Sequence, residues 1–345
     1  MSEPTCAKTV ADLVLRVAQK GGMAYYGADG MGKSCPPVDQ FNLDLCLQIV
    51  NDAISMFIAN APAKGWNWMR RRYSLTLDAE GDGPLNISSD PARYMLPEDF
   101  GGANYGELIY ASETGLGPVI QWTSESEIMR RRAISEDSGY PLLAAIRPYQ
   151  PTTSALSTAG RRWELLLYPA PDSAYVIELP YTMYFANLLM ATGVATGGSS
   201  TTLADSTRKE ADDYFNGWTL HITSGTGIGQ SATITDYTAA TGTFTFTALS
   251  GGATPDTTSS YMVLPAMPYH PAGLMFDHYI VSACLATLEA QVTEINEGFT
   301  ERFYQIDLPK AYEADARIPP RRIGSLNGRP EQPLRHNYNS VTFEG

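Results

Sequence analysis

The sequence predicts an α+β protein: a helical bundle body carrying antiparallel β-strands, with a small all-β domain inserted into it and an extended C-terminal arm. Three observations predict this. Apolar residues recur at helical spacing towards both ends of the chain and alternate with polar residues through its middle. Between about Met190 and Ser260 the composition shifts to Thr, Gly, Ser and Ala with little Arg or Lys. The length of 345 residues suits one main body plus a smaller module. The expected division is 1–187 with 264–316 for the body, 188–263 for the inserted domain and 317–345 for the arm.

Each element follows in order. Thr9 to Lys20 places Val10, Leu13, Val14 and Val17 on one helical face, and Gly21-Gly22 stops the helix. Asp39 caps a second helix whose Leu43, Leu47, Val50, Ile54 and Phe57 form one stripe, ended by Pro62 and Gly65. From Trp66 to Tyr184, RRYSLTLD, GELIYA, PVIQWT, RWELLLYP and SAYVIELPYTMYF read as strands. SESEIMRRRAIS between them reads as a short capped helix starting at Ser124 or Ser126. In the Thr-rich stretch WTLHIT, SATITDY and GTFTFTAL alternate as strands of an antiparallel module. Pro271 then starts a long helix through Phe276, Ile280, Ala283, Leu288 and Val292, with Ala283, Ala286 and Ala290 letting neighbours approach. A further helix over about 299–317 should bend or break at Pro309. The last segment has Pro, Gly, Asn and Arg but no apolar period, and reads as an extended arm rather than part of a core.

Bulk properties narrow the function. A net charge of -13 and a pI near 4.8 disfavour gripping nucleic acid, since that attraction comes from Lys and Arg clusters. A passive channel for DNA remains compatible. Cys6, Cys35, Cys46 and Cys284 have no CxxC spacing, which argues against a zinc knuckle or a redox dithiol. The N-terminus lacks the cationic start and apolar core of a signal peptide, and no membrane-spanning segment of roughly 18 apolar residues is expected.

Few residues suggest chemistry. GADGMGKS, Gly27 to Ser34, matches the phosphate-binding pattern in which Lys33 would reach the terminal phosphates and Ser34 a magnesium ion. That role needs a buried strand before the loop and a helix starting at Lys33-Ser34. KGGMAYY is a poor strand, and Pro36-Pro37 oppose the helix. His221, His270, His278 and His336 show no metal-binding spacing, and Asp78, Glu80 and Asp82 cluster in a turn where solvation suffices. Tyr214, Phe215, Trp218, Tyr237, Phe244 and Phe246 supply either a core for the β module or a platform for a sugar. No catalytic, cofactor-binding or metal residues are assigned, so neither an enzyme nor a cofactor is expected. Arg317, Arg321, Arg322, Arg329 and Arg335 reverse the local charge of an acidic protein, either as a solvated tail or as an arm that orders on carboxylates. The triplets Arg70–Arg72 and Arg130–Arg132 could line a subunit contact, pair with acids or lie exposed.

Four segments together carry a resemblance. DPARYMLPEDF (90–100) resembles a Y-x-LP-x-DF signature, WNWMRRRYSLTLDAEGDG (66–83) the segment before it, and WELLLYPAPDSAYVIELPYTMYF (163–185) a strand, P-x-P-D, strand segment. LPAMPYHPAGLMFDHYIVSACLATLEAQ (264–291) resembles the start of the helix that follows. In this order they resemble the head-to-tail adaptor (connector, neck) proteins of tailed bacteriophages. The intervening stretch is similar to a small β module recurring in phage structural proteins. The resemblance implies a structural virion protein that forms a homo-oligomeric ring, usually a dodecamer, beneath the portal protein. Such a ring extends the channel for double-stranded DNA without binding it specifically, serves genome ejection and provides a docking platform for tail or nozzle proteins. It also implies assembly in the host cytoplasm, no membrane partner, and a portal-binding arm carrying Arg317, Arg321, Arg322, Arg329 and Arg335. The alternatives are a tail-tube, nozzle or head-closure component of the neck, and a nucleotide hydrolase using Gly27 to Ser34.

Overall fold

The computed structural model describes residues 8–27, 30–87, 89–103, 106–111, 119–135, 137–149, 162–292 and 298–318. Its first helix, α1 (Val10–Gly21), begins at Thr9, whose hydroxyl accepts the Asp12 N–H while Asp12 answers the Thr9 N–H, and ends on left-handed Gly22 at φ 71°. Helix α2 (Gln40–Ala59) is capped by Asp39, which accepts from the Asn42 N–H at 3.0 Å. By length and composition α2 could cross a membrane, contrary to expectation. Its Leu43, Cys46, Ile49, Val50, Ile54 and Phe57 are nonetheless buried against α1 and α4 (Asp277–Gln291), as in a core helix.

The body is mostly sheet, and this corrects the expected helical bundle. Strand β1 (Arg70–Thr76) pairs along its whole length with β9 (Val176–Met183), which also carries β4 (Phe100–Gly102) and β5 (Ile109–Tyr110). A second sheet runs β2 (Asn86–Ile87), β3 (Asp90–Met95), β8 (Trp163–Tyr168), β7 (Leu143–Pro148) and β6 (Gln121–Trp122). Alternation sends Leu75, Leu77, Tyr94, Leu165, Leu167, Ile177 and Leu179 into one core shared by the two sheets. The opposite face of β8 is covered by α3 (Glu125–Ile134), where Ile128 meets Ala145 and Leu166. Both faces of β8 are therefore buried, which explains why WELLLY reads as a continuous apolar run rather than an alternating one.

Residues 191–264 form β10 (Ala191–Val194), β11 (Gly197–Gly198), β12 (Thr202–Ala204), β13 (Thr219–Ser224), β14 (Ser231–Thr238), β15 (Thr243–Phe246) and β16 (Ser260–Leu264), in the order β10-β16-β13-β14-β15-β12-β11. The two outermost strands are continuous in the chain. The Ala195 N–H donates to Ser259 O and the next, Thr196 N–H, to Ala204 O, so the sheet closes into a small barrel. Its core holds Phe215, Tyr237, Phe244 and Phe246. Leading strand β10 pairs antiparallel with returning strand β16, so the chain enters and leaves the barrel side by side.

The C-terminal helices depart from expectation in three ways. Helix α4 starts at Asp277 rather than Pro271, because left-handed Gly273 (φ 79°) and a 3₁₀ turn at Leu274–Phe276 precede it. Ala290 is exposed, whereas Ala283 and Ala286 are buried. Next, α5 (Phe299–Arg302) runs through a π-helical turn (Phe303–Asp307) into α6 (Leu308–Asp315). Proline lacks an N–H and its ring clashes with the carbonyl four residues back, so Pro309 relaxes the helix by widening the preceding turn instead of ending it.

Candidate interaction surface

The sequence-selected groups fall in separate places. Tyr25 and Cys35 exchange backbone hydrogen bonds of 3.1 and 2.8 Å, closing the GADGMGKS stretch into a loop, and Gly32 N–H returns to Tyr26 O at 2.7 Å. The phosphate-binding pattern needs a helix at Lys33-Ser34, but α2 begins only at Gln40, and the Ser34 hydroxyl accepts from Gln19. Ala28 and Asp29 lie outside the described residues. The loop's exit instead lies at the seam between helices and barrel, where Thr192 donates to Pro37 O at 2.6 Å. Asn51 of α2 grips both backbone groups of Leu188, at 2.8 and 3.1 Å, just before the barrel.

Three of the histidines are described. Burial lowers the pKa of His221 in β13. His278 is exposed, 3.5 Å from Asp307. His270 is buried with its Nε2 2.7 Å from Asp277 Oδ1, while Asp277 Oδ2 accepts the Lys8 N–H at 2.7 Å. Burial lowers the His270 pKa, and Asp277 opposes that shift. The Asp78 carboxylate accepts the N–H groups of Glu80, Asp82 and Gly83 and closes its own turn. A carboxyl–carboxyl hydrogen bond with Asp82 leads the causes that lower the Asp78 pKa, and raises that of Asp82. Among the described residues no group of His, Cys, Asp and Glu could hold a metal ion.

The arginines divide by role. Arg130 and Arg131 both pair with Glu127 on α3, and Arg132 reaches Asp90. In the barrel Arg208 is buried, donating to the Tyr261 hydroxyl at 2.9 Å and to Thr192 O. Tyr261 in turn donates to Asp205 at 2.6 Å, and burial pushes its pKa well above the ordinary range. Gly193 packs so closely here that a Cβ would lie 2.5 Å from Asp205 Oδ2. Arg317 is exposed, 4.0 Å from Glu313, and Arg321, Arg322, Arg329 and Arg335 lie outside the described residues, as do His336 and Cys6.

Two groupings were not read from the sequence. Glu164 is fully buried between Arg93 (2.8 Å) and Arg147, and Arg147 also reaches Glu125 of α3 at 2.6 Å. The available signal was a charged residue at each of three strand positions flanked by apolar ones, Arg93, Arg147 and Glu164. The second is a cleft of about 530 Å³ between the end of β9 and residues 265–274, with Arg71, Asp99 and His270 in its wall. Tyr184, Leu189, Met267 and Leu274 stand exposed around it, Met267 at 80%. Apolar side chains in a Pro/Gly-rich stretch, LPAMPYHPAGLMF, marked it, since such backbone offers no regular face to bury them. Arg71 joins this cleft to β1, so exposed apolar side chains and the Arg70–Arg72 strand form one surface suited to contact with another protein. No family model matches the chain, and no curated protein matches it.

Proposed function

We propose that this chain is a structural virion protein, a head-to-tail adaptor that forms a ring, of twelve copies by the resemblance, beneath the portal of a tailed bacteriophage. The observation that carries the reading is that the four resembling segments are one another's neighbours. The 66–83 and 163–185 segments pair as β1 and β9, and 90–100 joins them where Tyr184 N–H donates to Asp99 O and Phe100 opposes Met183. Phe276 of the 264–291 segment packs edge-on against Trp66 at 6.1 Å. Segments chosen for their motifs and their order in the sequence thus pack against one another in a single framework. In this reading the ring acts mechanically, with no catalysis and no cofactor. Copies meet by repeated head-to-tail contacts, the 317–345 arm anchors to the portal, and DNA slides through an acidic, non-gripping channel towards the tail.

The test is to mix purified chain with portal protein and image the product by cryo-electron microscopy. Rings seated on the portal are expected, and deleting residues 318–345 should leave a folded protein that no longer joins it. Association with tail-tube or nozzle protein alone would move the chain to a lower tier of the neck. ATP binding abolished by Lys33→Ala would replace the structural reading with the hydrolase.

A further inference from the structure

The six aromatic residues that the sequence leaves open between core and platform divide in the structure. Phe215, Tyr237, Phe244 and Phe246 are buried in the barrel. Tyr214 is 45% exposed and Trp218 only partly buried. Both belong to one turn, residues 212–217 and the residue after it, pinned along β14. The Asp213 N–H donates to Tyr237 O at 3.0 Å, the Gly217 N–H to Ile234 O at 2.9 Å, and Asp212 Oδ1 accepts the Ala239 N–H at 2.6 Å. Asp213 takes the left-handed φ of 64°, which Asp tolerates better than most residues, and the chain beyond it leaves Tyr214 outside and Phe215 inside.

The two outer rings are held in place. Each packs edge-to-face on the buried Phe215, Tyr214 at 4.9 Å and 87°, Trp218 at 5.3 Å and 90°. Their own centroids lie 5.7 Å apart, with planes tilted by 43°. One buried ring thus fixes two outer ones, so little side-chain freedom is lost when a ligand stacks on them. A Cβ at Gly217, next to Trp218 in the chain, would meet nothing within 4 Å, so open space adjoins the pair. The margin is polar. Asn216 donates to Asp213 Oδ1 at 2.8 Å, and among the described residues Asn216 Oδ1, Asp213 Oδ2, the Trp218 indole N–H and the Tyr214 hydroxyl have no partner.

We propose that Tyr214 and Trp218, with Asp213 and Asn216 at their margin, bind a neutral oligosaccharide. A pyranose offers what this arrangement lacks. One of its faces is made of C–H groups, drawn to the negative face of an aromatic ring, and its rim carries hydroxyls that both donate and accept. The separation of the two rings is close to that of successive sugars in a chain, and their tilt suits a chain that twists between them. Other ligand classes fit less well. Asp212 and Asp213 repel the phosphates of nucleic acids and lipids, and acidic sugars too. An ammonium group is best held inside a cage of rings, whereas this pair is open on one side. The inference concerns the barrel alone and needs neither a ring of subunits nor a portal.

Calorimetric titration of the full chain with the neutral hexaoses of glucose, galactose, mannose and N-acetylglucosamine, each up to about 10 mM, tests it. At least one should bind, with the same affinity at low and high salt. Tyr214→Ala should weaken that binding about tenfold or more with little change in the thermal midpoint, because the ring is largely exposed. Trp218→Ala should weaken it at least as much, and Asn216→Ala severalfold. Failure of all four hexaoses to bind, or equal binding by Tyr214→Ala, would overturn the proposal. Binding of a lysine hexapeptide in place of every hexaose, weakened by salt and lost in Tyr214→Ala, would assign the rings to a cationic ligand and overturn it as well.

Discussion

The barrel and the two-sheet body solve the same problem in opposite ways. The barrel bends β10–β11 across itself so that this one stretch of chain pairs with both β16 and β12, and most of its large aromatic side chains turn inward. The body stacks two open sheets, so one long strand, β1, forms an edge, and a helix must cover the outer face of β8. Their buried charges differ correspondingly. In the barrel a single Arg208 is satisfied by neighbours within the same module, Tyr261, Thr192 and Glu210. In the body Glu164 links β3, β7 and, through Arg147, helix α3. The difference indicates which region can take on a further strand: a closed module is complete in itself, while an open sheet held by cross-element charges has somewhere to grow.

Removing the charge at the centre of the body network tests this division most severely. Glu164→Ala leaves Arg93 and Arg147 without their buried partner and should cost about 3–5 kcal/mol. Denaturant titration would measure the loss. Hydrogen exchange should place it in β3, β7 and β8 while the barrel strands keep their protection, and equal loss of protection in the barrel would break the comparison. The converse change lies in the barrel. Gly225 has φ 75°, and a Cβ there would meet Thr258 O at 2.0 Å. Gly225→Ala combines left-handed strain with a backbone clash and should destabilise by about 2–3 kcal/mol. Its effect should appear in β13 and β16 and spare the body sheets.

Much of this division was legible in the sequence because it rests on local signals. The apolar face of Val10, Leu13, Val14 and Val17 found the first helix, Asp39 announced the start of the second and Ser124 was one of two starts offered for the third, and period-two alternation found β1, β9, β13, β14 and β15. The composition shift near Met190 coincides with the first barrel strand. What was not legible depends on contacts distant in sequence. Two sheets sharing one core look, strand by strand, like isolated hairpins decorating a bundle, because alternation does not say which strand pairs with which. The delayed start of α4 and the π turn before Pro309 depend on how Gly273 and Pro309 are accommodated, which periodicity does not encode. The interaction surface was half legible: the arginine triplet stood out, but nothing local showed that β1 would be an edge. Of the five arm arginines, only Arg317 falls among the described residues.

The smallest expected effect sharpens the comparison at the joint lying outside both regions. His270 sits between the chain leaving the barrel and the start of α4, facing Asp277, which also holds the Lys8 backbone. Burial lowers its folded pKa below the unfolded value, so between the two values the unfolded chain binds the proton and the folded chain does not. Stability from this residue is therefore complete above the unfolded histidine range, near pH 6.5, and is lost as pH falls through it towards the lowered folded value. His221, shifted the same way by burial, adds a parallel loss inside the barrel. Replacing His270 by Gln keeps an amide donor for Asp277 and removes the titration. Denaturation midpoints measured from pH 7.5 to 5 should fall less steeply in His270→Gln than in the parent, with the remaining slope carried by His221. An unchanged slope would mean that the His270–Asp277 contact opens before it titrates. The joint would then be a loose connection between two independently stable sheet systems, not a clamp holding the first helix to α4.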